Sequence, residues 1–341
     1  MNFVKLYQIM NKKIKLILHL PRYVSLALHS NVLETGRPCW LLFSMKILVK
    51  VIAASIISVM VISSAALAGV YSYGERTTVV AWAQKYIVKD AESLIEIARK
   101  FDVGYHEIVD ANPGLDPFVP GDGVSVQIPT SWILPDVKRY EGIVINLSEL
   151  RLFYFINGTG PKHVMTFPIG IGKEGFNTPI GTFNIIDKTV NPVWHVPESI
   201  QREKPELPKV VLAGPDNPLG SHAMRLSIGD VLIHGTNKPW GVGRKFSHGC
   251  IRLYPEDIPI LFRSVPKGTK VTIVRQPVKI GERGGKVFLE VSNDADAKNM
   301  NYFDSAISLL RKKNLLKDIS SEKLCDALRK KRGIPVDISN K

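Results

Sequence analysis

The sequence predicts a mainly β domain flanked by a small βααβ module and a basic C-terminal extension. Three observations carry that prediction. Short apolar runs separated by glycine- and proline-bearing turns recur across residues 141–276, the pattern of a sandwich or barrel. A β-α-α-β succession of patterns fills residues 85–130. Helical periodicity among basic clusters marks residues 277–341. A chain of 341 residues with 45% hydrophobic and 22% charged residues has the length and composition of globular protein with more than one domain. Its formal charge of +14 suits an anionic partner: nucleic acid, a membrane surface or an acidic polymer.

The N-terminal region reads as targeting. Met45, Lys46 and Lys50 form a basic start, 51–70 is almost wholly apolar, and Ala66-Leu67-Ala68 is a small-x-small cleavage pattern. Residues 45–68 are therefore expected to be a cleaved export signal, with a retained anchor as the alternative. Residues 1–44 precede that signal and read as a gene-model artefact, with Met45 the true start.

In the small module, Tyr86-Ile87-Val88 is β-like, and Leu94, Ile97 and Ala98 have helix spacing. A second helix holds His106, Ile108 and Val109 and stops at Asn112-Pro113-Gly114. Val124 to Ile128 alternates as a strand. Residues 129–140 carry two prolines and read as a linker. In the β domain, Ile143, Ile145 and Leu147 alternate. Strands are expected at 152–156, 164–169, 181–186, 231–234, 251–253 and 271–274, with a hairpin turn at Asn157-Gly158. The stretch 197–224, with five prolines, reads as a functional insertion, a substrate-side cap. In the extension, a strand is expected at 287–291 and helices at 306–310 and 324–328. The runs at 311–313 and 329–332 read as solvated helix faces.

The chemistry concentrates in Ser247-His248-Gly249-Cys250-Ile251-Arg252, with His234-Gly235-Thr236 upstream. A cysteine beside histidines can be deprotonated to the reactive thiolate. Gly249 lets backbone approach a ligand, and the N–H groups of Gly249 and Cys250 suit a developing oxyanion. Two histidines compete for the base. His248, two residues from Cys250, would share its face on a regular strand; His234 would approach from a neighbouring strand. No acid stands near either in sequence to orient it, so a backbone carbonyl would take that place. Of the three cysteines, Cys39 precedes the expected cleavage. A Cys250–Cys325 disulfide would consume the nucleophile and is not expected. No Cys-x-x-Cys or His-Glu-x-x-His spacing is present, so no metal and no cofactor is expected. No nucleic-acid-binding motif appears either.

Residues 85–130 resemble a LysM module, a glycan-binding domain, through Tyr86-x-Val88, Ser93-Leu94, Ile97-Ala98, Asn112-Pro113 and Ile128-Pro129. Ala91-Glu92 stand where that family usually has Gly-Asp. The resemblance implies glycan contacts at Asn112 and Pro113. Residues 141–276 resemble a YkuD-type L,D-transpeptidase catalytic domain, in the periplasmic ErfK/YbiS/YcfS/YnhG-like subgroup. His234-Gly235 and Ser247-His248-Gly249-Cys250-Ile251-Arg252 carry that resemblance, supported by Gly170-Ile171-Gly172, Thr178-Pro179-Ile180-Gly181, 213–220 and Glu256-Asp257-Ile258.

That resemblance implies a substrate and a set of roles. Cys250 would attack a peptidoglycan tetrapeptide stem, release D-alanine and hold a thioester. An amine of a second stem, or a lysine of an anchored lipoprotein, would take the acyl group. His234 would be the base, oriented by the Gly235 carbonyl. His248 and Gly249 would shape the oxyanion site. Arg252 would bind a substrate carboxylate, and Ser247 belongs to the same substrate-side segment, supporting its turn. Carbapenems would acylate such a site. The alternatives are an L,D-carboxypeptidase or other cysteine hydrolase, and a non-catalytic peptidoglycan-binding protein.

Overall fold

A computed structural model describes residues 69–340 except Asn157. The expected export signal, residues 1–44 and Cys39 lie outside the described residues. No helix among the described residues is long and apolar enough to cross a membrane.

The N-terminal part comprises β1 (Val70–Ser72), β2 (Val79–Ala81), β3 (Gln84–Ile87), α1 (Leu94–Lys100), α2 (Tyr105–Ala111), β4 (Ser125–Ile128) and β5 (Ser131–Ile133). The expected βααβ order is present from β3 to β4, which pair antiparallel. A capping box between Ser93 and Glu96 starts α1. Just before it, Ala91 has φ 54°, the left-handed region that favours glycine. An Asp122 carboxylate accepts the Ala91 N–H at 2.8 Å and helps hold this turn.

The central part comprises β6 (Gly142–Asn146), β7 (Arg151–Ile156), β8 (His163–Pro168), β9 (Ile171–Gly172), β10 (Gly181–Val190), β11 (Trp194–His195), α3 (Glu198–Glu203), β12 (Val210–Val211), β13 (His222–Leu226), β14 (Leu232–His234), β15 (Lys245–Ser247), β16 (Ile251–Arg252), α4 (Ile258–Ser264) and β17 (Lys270–Val274). One nine-stranded sheet runs β1-β8-β7-β6-β17-β10-β13-β14-β16. The first half of β10 pairs with β17 and the second with β13, and the register shifts between Ile185 and Asp187. A long strand that changes partners at a bulge is how a sheet turns a corner toward a sandwich or barrel. The mainly β prediction therefore holds.

Alternation sorts the two faces. Ile143, Ile145, Leu152 and Tyr154 pack in one core with Ile233, Ile251 and Leu261. Val144, Phe153 and Phe155 pack in a second core with Leu94, Ile97, Ile108 and Trp132 of the N-terminal module. The sheet is thus buried on both sides, and the module is one of its covers. This corrects the linker expected at 129–140. Ser131–Ile133 pairs with β2, and Trp132, Ile133 and Leu134 are buried. Two flanking prolines disguise a three-residue apolar strand. The hairpin expected at Asn157-Gly158 joins β7 to β8, which pair antiparallel up to Ile156 opposite His163.

The extension comprises β18 (Val278–Arg283), β19 (Lys286–Val291), α5 (Tyr302–Lys312), α6 (Ser321–Lys330) and β20 (Val336–Asp337). β18 and β19 form a hairpin through Gly284-Gly285, both with positive φ, as a tight primed turn requires. The extension has a third core of its own. It is also pinned to the sheet domain by Lys279, 1% exposed, whose ammonium meets Glu149 at 2.6 Å and Glu290 at 2.9 Å.

Candidate active site

Two short parallel strands build the site. In β14 and β16, Ile233 lies opposite Ile251 and His234 opposite Arg252. Both isoleucines are fully buried in the core. Strand alternation therefore turns His234 and Arg252 to the other face, the face toward which Cys250 leads.

His234 is 2% exposed. Burial, aided by the Arg252 charge, pushes its pKa down to about 3, although the carbonyls of Gly235 and Leu219 oppose the shift. Its Nδ1 is buried without a hydrogen-bond partner. The imidazole is thus neutral, steadied by backbone carbonyls, with an unused ring nitrogen. A side chain at Gly235 would come within 2.9 Å of Ile258, so glycine lets the strand end close on α4.

Cys250 is half-buried, and its S–H points to the Asp230 carbonyl at 3.6 Å. Burial raises its pKa; the Leu232 backbone and the Arg252 charge pull it part of the way back. Burial thus favours the thiol form of Cys250 and the neutral form of His234. Arg252 has a buried Nε without a partner and lies 5.9 Å from the centre of the Phe246 ring. Among the described residues no carboxylate pairs with it.

The turn between β15 and β16 overturns the same-face argument for His248. Gly249 has φ 101°, so His248 to Cys250 are not a regular strand. His248 Nε2 meets Glu203 Oε2 on α3 at 3.2 Å. Its ring packs edge-on against Phe176 at 4.3 Å. Lys173 holds the same Glu203 at 3.1 Å. An acid does reach a histidine, then, but it comes from the proline-rich insertion, 45 residues upstream in sequence.

Ser247 is 1% exposed, and its Oγ donates to the Cys250 carbonyl at 2.6 Å. It braces the turn and is not open to substrate, which corrects the substrate-side assignment. Thr178, given no role in the sequence beyond a supporting motif, does similar work. Its Oγ1 donates to the Gly249 carbonyl at 3.0 Å and accepts the Gly172 N–H at 3.1 Å. Because the peptide is planar and trans, fixing that carbonyl fixes the Cys250 N–H in the opposite direction. Thr178-Pro179 was visible as a motif, but only the fold brings it to Gly249.

Asn112 is a further correction. Its amide donates to the carbonyls of Ile108 and Gln127 at 2.8 Å and accepts the Gln127 N–H at 2.7 Å. At 8% exposed it ties α2 to β4 and has no free donor for a glycan. Pro113 is exposed.

Residues 141–273 match the YkuD family, the L,D-transpeptidase catalytic domain. The chain is 44% identical over 221 residues to the Escherichia coli K12 protein named Probable L,D-transpeptidase YcfS, covering 62% of this chain and 68% of that one. It is 37% identical over 263 residues to Probable L,D-transpeptidase YbiS of the same strain, covering 73% and 84%. It is 38% identical over 264 residues to Probable L,D-transpeptidase ErfK/SrfK of Salmonella typhimurium LT2, again covering 73% and 84%. A buried histidine ending one strand and a cysteine immediately before the strand paired with it, inside a domain with these relatives, identify the chain as an enzyme of the L,D-transpeptidase family with a YkuD catalytic domain.

Proposed function

We propose that the protein transfers an acyl group from a peptidoglycan tetrapeptide stem through a thioester on Cys250. The observation that carries this reading is the unpaired Arg252 opposite His234 on the strand pair that presents Cys250. A carboxylate-bearing peptide can pair with Arg252 while its carbonyl meets the sulfur. His234 takes the thiol proton as sulfur attacks. The N–H groups of Gly249 and Cys250, aimed by Thr178, receive the oxyanion. The terminal D-alanine leaves with the proton that His234 returns. An amine of a second stem, or of a lipoprotein lysine, then attacks the thioester; water in its place gives L,D-carboxypeptidase activity. His248 shapes the site through Glu203 rather than acting as base. The order His234 before Cys250, with both side chains present, favours this reading over a cysteine peptidase and over a non-catalytic wall-binding protein.

Export to the periplasm fits a peptidoglycan substrate, and the LysM-like module would hold glycan while Cys250 works on peptide. Tethering of that kind raises local substrate concentration without new contacts at the sulfur.

The test is incubation with purified muropeptides followed by mass spectrometry. Wild-type protein is expected to gain an acyl adduct on Cys250 with loss of D-alanine, and Cys250→Ala to gain none. No wild-type adduct, or an unchanged one in Cys250→Ala, overturns the mechanism. Cross-linked dimers against trimmed monomers identify the acceptor.

Thr178→Val keeps the shape and removes both hydrogen bonds. It is expected to lower the acylation rate by about tenfold, less than the 10²–10³ for deleting an oxyanion donor outright, because the donor remains but is less well aimed. An unchanged rate would mean that the turn holds itself.

A further inference from the structure

A cavity of about 510 Å³ opens where α2, the strand segment before Ser247 and the loop after β19 meet. Nearly all its charged lining is neutralised from within. Glu107 pairs with Arg151 and Glu149 with Lys279. Lys245 sits on Asp294 and Asp296, and Arg275 also holds Asp294. Burial, with the charges of Arg244 and Lys245, keeps His106 below its ordinary pKa.

Two groups are left over. The Arg244 guanidinium lies 3.6 Å from the centre of the Tyr105 ring, its Nε buried without a partner. Among the described residues no carboxylate pairs with it. Asp110 meets only the Asn293 side chain, and burial pushes it up to about 6. One unpaired cation and one unpaired acid thus line a single cavity.

We propose that this cavity binds a short peptide with a free carboxylate and a free amine, the carboxylate on Arg244 and the ammonium on Asp110. A guanidinium matches a carboxylate with two parallel hydrogen bonds. Semi-buried charges without partners are costly, and a ligand of opposite polarity removes that cost at both ends. The volume lies in the range of small-ligand sites and exceeds what one small amino acid fills, which favours a peptide. Phe246, 54% exposed, lines the same cavity and lies against Arg252. An occupant therefore abuts the strand that leads into Cys250. That the peptide is a second peptidoglycan stem rests on the transpeptidase reading; the binding itself does not.

The test is calorimetry on the full chain carrying Cys250→Ala, titrated with L- and D-trialanine and with their N-acetyl and C-amide forms. Trialanine of at least one hand is expected to bind, and each blocked form at least tenfold more weakly. Asp110→Asn should weaken trialanine tenfold without affecting the N-acetyl form. Arg244→Gln should do the same with respect to the C-amide. Asp110→Asn is isosteric, and an unchanged melting temperature separates lost binding from lost folding. Absence of binding by either hand, or binding indifferent to both substitutions, overturns the proposal. So does equal affinity for free alanine, which would make the cavity a free amino-acid site. Loss of binding when wild-type Cys250 is already acylated by a carbapenem would assign the ligand to the catalytic site instead and also overturns it. Failure of the stem chemistry at Cys250 leaves these readouts intact.

Discussion

Replacing His234 with alanine is expected to lower the rate of Cys250 acylation by about 10²–10⁴-fold, the usual worth of a positioned general base. At rest the sulfur is protonated, because burial raises its pKa. The imidazole is neutral, because burial drives its pKa down to about 3. In the proposed mechanism the proton leaves sulfur during attack, and the buried Nδ1 of His234, which has no partner, is its acceptor. His248→Ala removes a ring already engaged with Glu203 and Phe176, and is expected to cost less than about tenfold, since it disturbs placement rather than proton transfer. Rates from single-turnover mass spectrometry decide it. If only His248→Ala abolishes acylation, the base is misassigned.

The same electrostatics fix the pH profile of thiol reactivity. Iodoacetamide reacts with thiolate, so alkylation of Cys250 should rise steadily with pH and reach no plateau below about 8.5, the ordinary thiol value. His234→Ala should leave that profile in place, because a neutral imidazole lends no charge to the sulfur. A plateau already reached by pH 6 would mean a preformed thiolate–imidazolium pair and would rule out proton transfer during attack.

The parts of this molecule legible in the sequence are those written locally. β6 to β8 are short apolar runs bounded by turn residues, buried on both faces, and the Ser247–Arg252 turn and His234 carry their chemistry within a few residues. What escaped depends on partners distant in the chain. The glycan contact expected at Asn112 rests on the LysM resemblance alone; the bonds of Asn112 to Ile108 and Gln127 exist only once α2 meets β4. β18 was overlooked because Lys279 and the charges after Gly281 read as surface, whereas Lys279 is buried between Glu149 and Glu290. Glu203, at the end of α3 in the proline-rich insertion, and Thr178, in the loop after β9, reach the catalytic turn only through the fold. The module looked like a bead on a linker because the second face of β6 and β7 declares no partner in one dimension.

That second face leads to the largest expected stability effect. Glu107 on α2 accepts Arg151 Nε and Nη2, both at 2.8 Å, the Trp132 indole at 3.0 Å and the Gly104 N–H at 2.6 Å. Arg151 is completely buried and lies 4.1 Å from the centre of the Trp132 ring. Glu107→Ala leaves that guanidinium without its counter-charge and should destabilise the protein by about 3–5 kcal/mol. Removing both charges by Glu107→Leu with Arg151→Met should recover most of the loss, because an apolar pair needs no compensation. Urea unfolding of the three proteins measures both effects; a double variant no more stable than Glu107→Ala would mean that the Trp132 and Gly104 bonds, not the charge, hold the module. Beside this pair, burial raises both Asp102 and Asp257, the latter to about 7. Carboxyls raised on folding stabilise when protonated, fully so below their unfolded values near 4, and this contribution is lost as pH rises through about 7. The contact between module and sheet is therefore expected to be firmer at pH 6 than at pH 8, read as a fall in the urea midpoint over that interval in wild type that Asp257→Asn reduces.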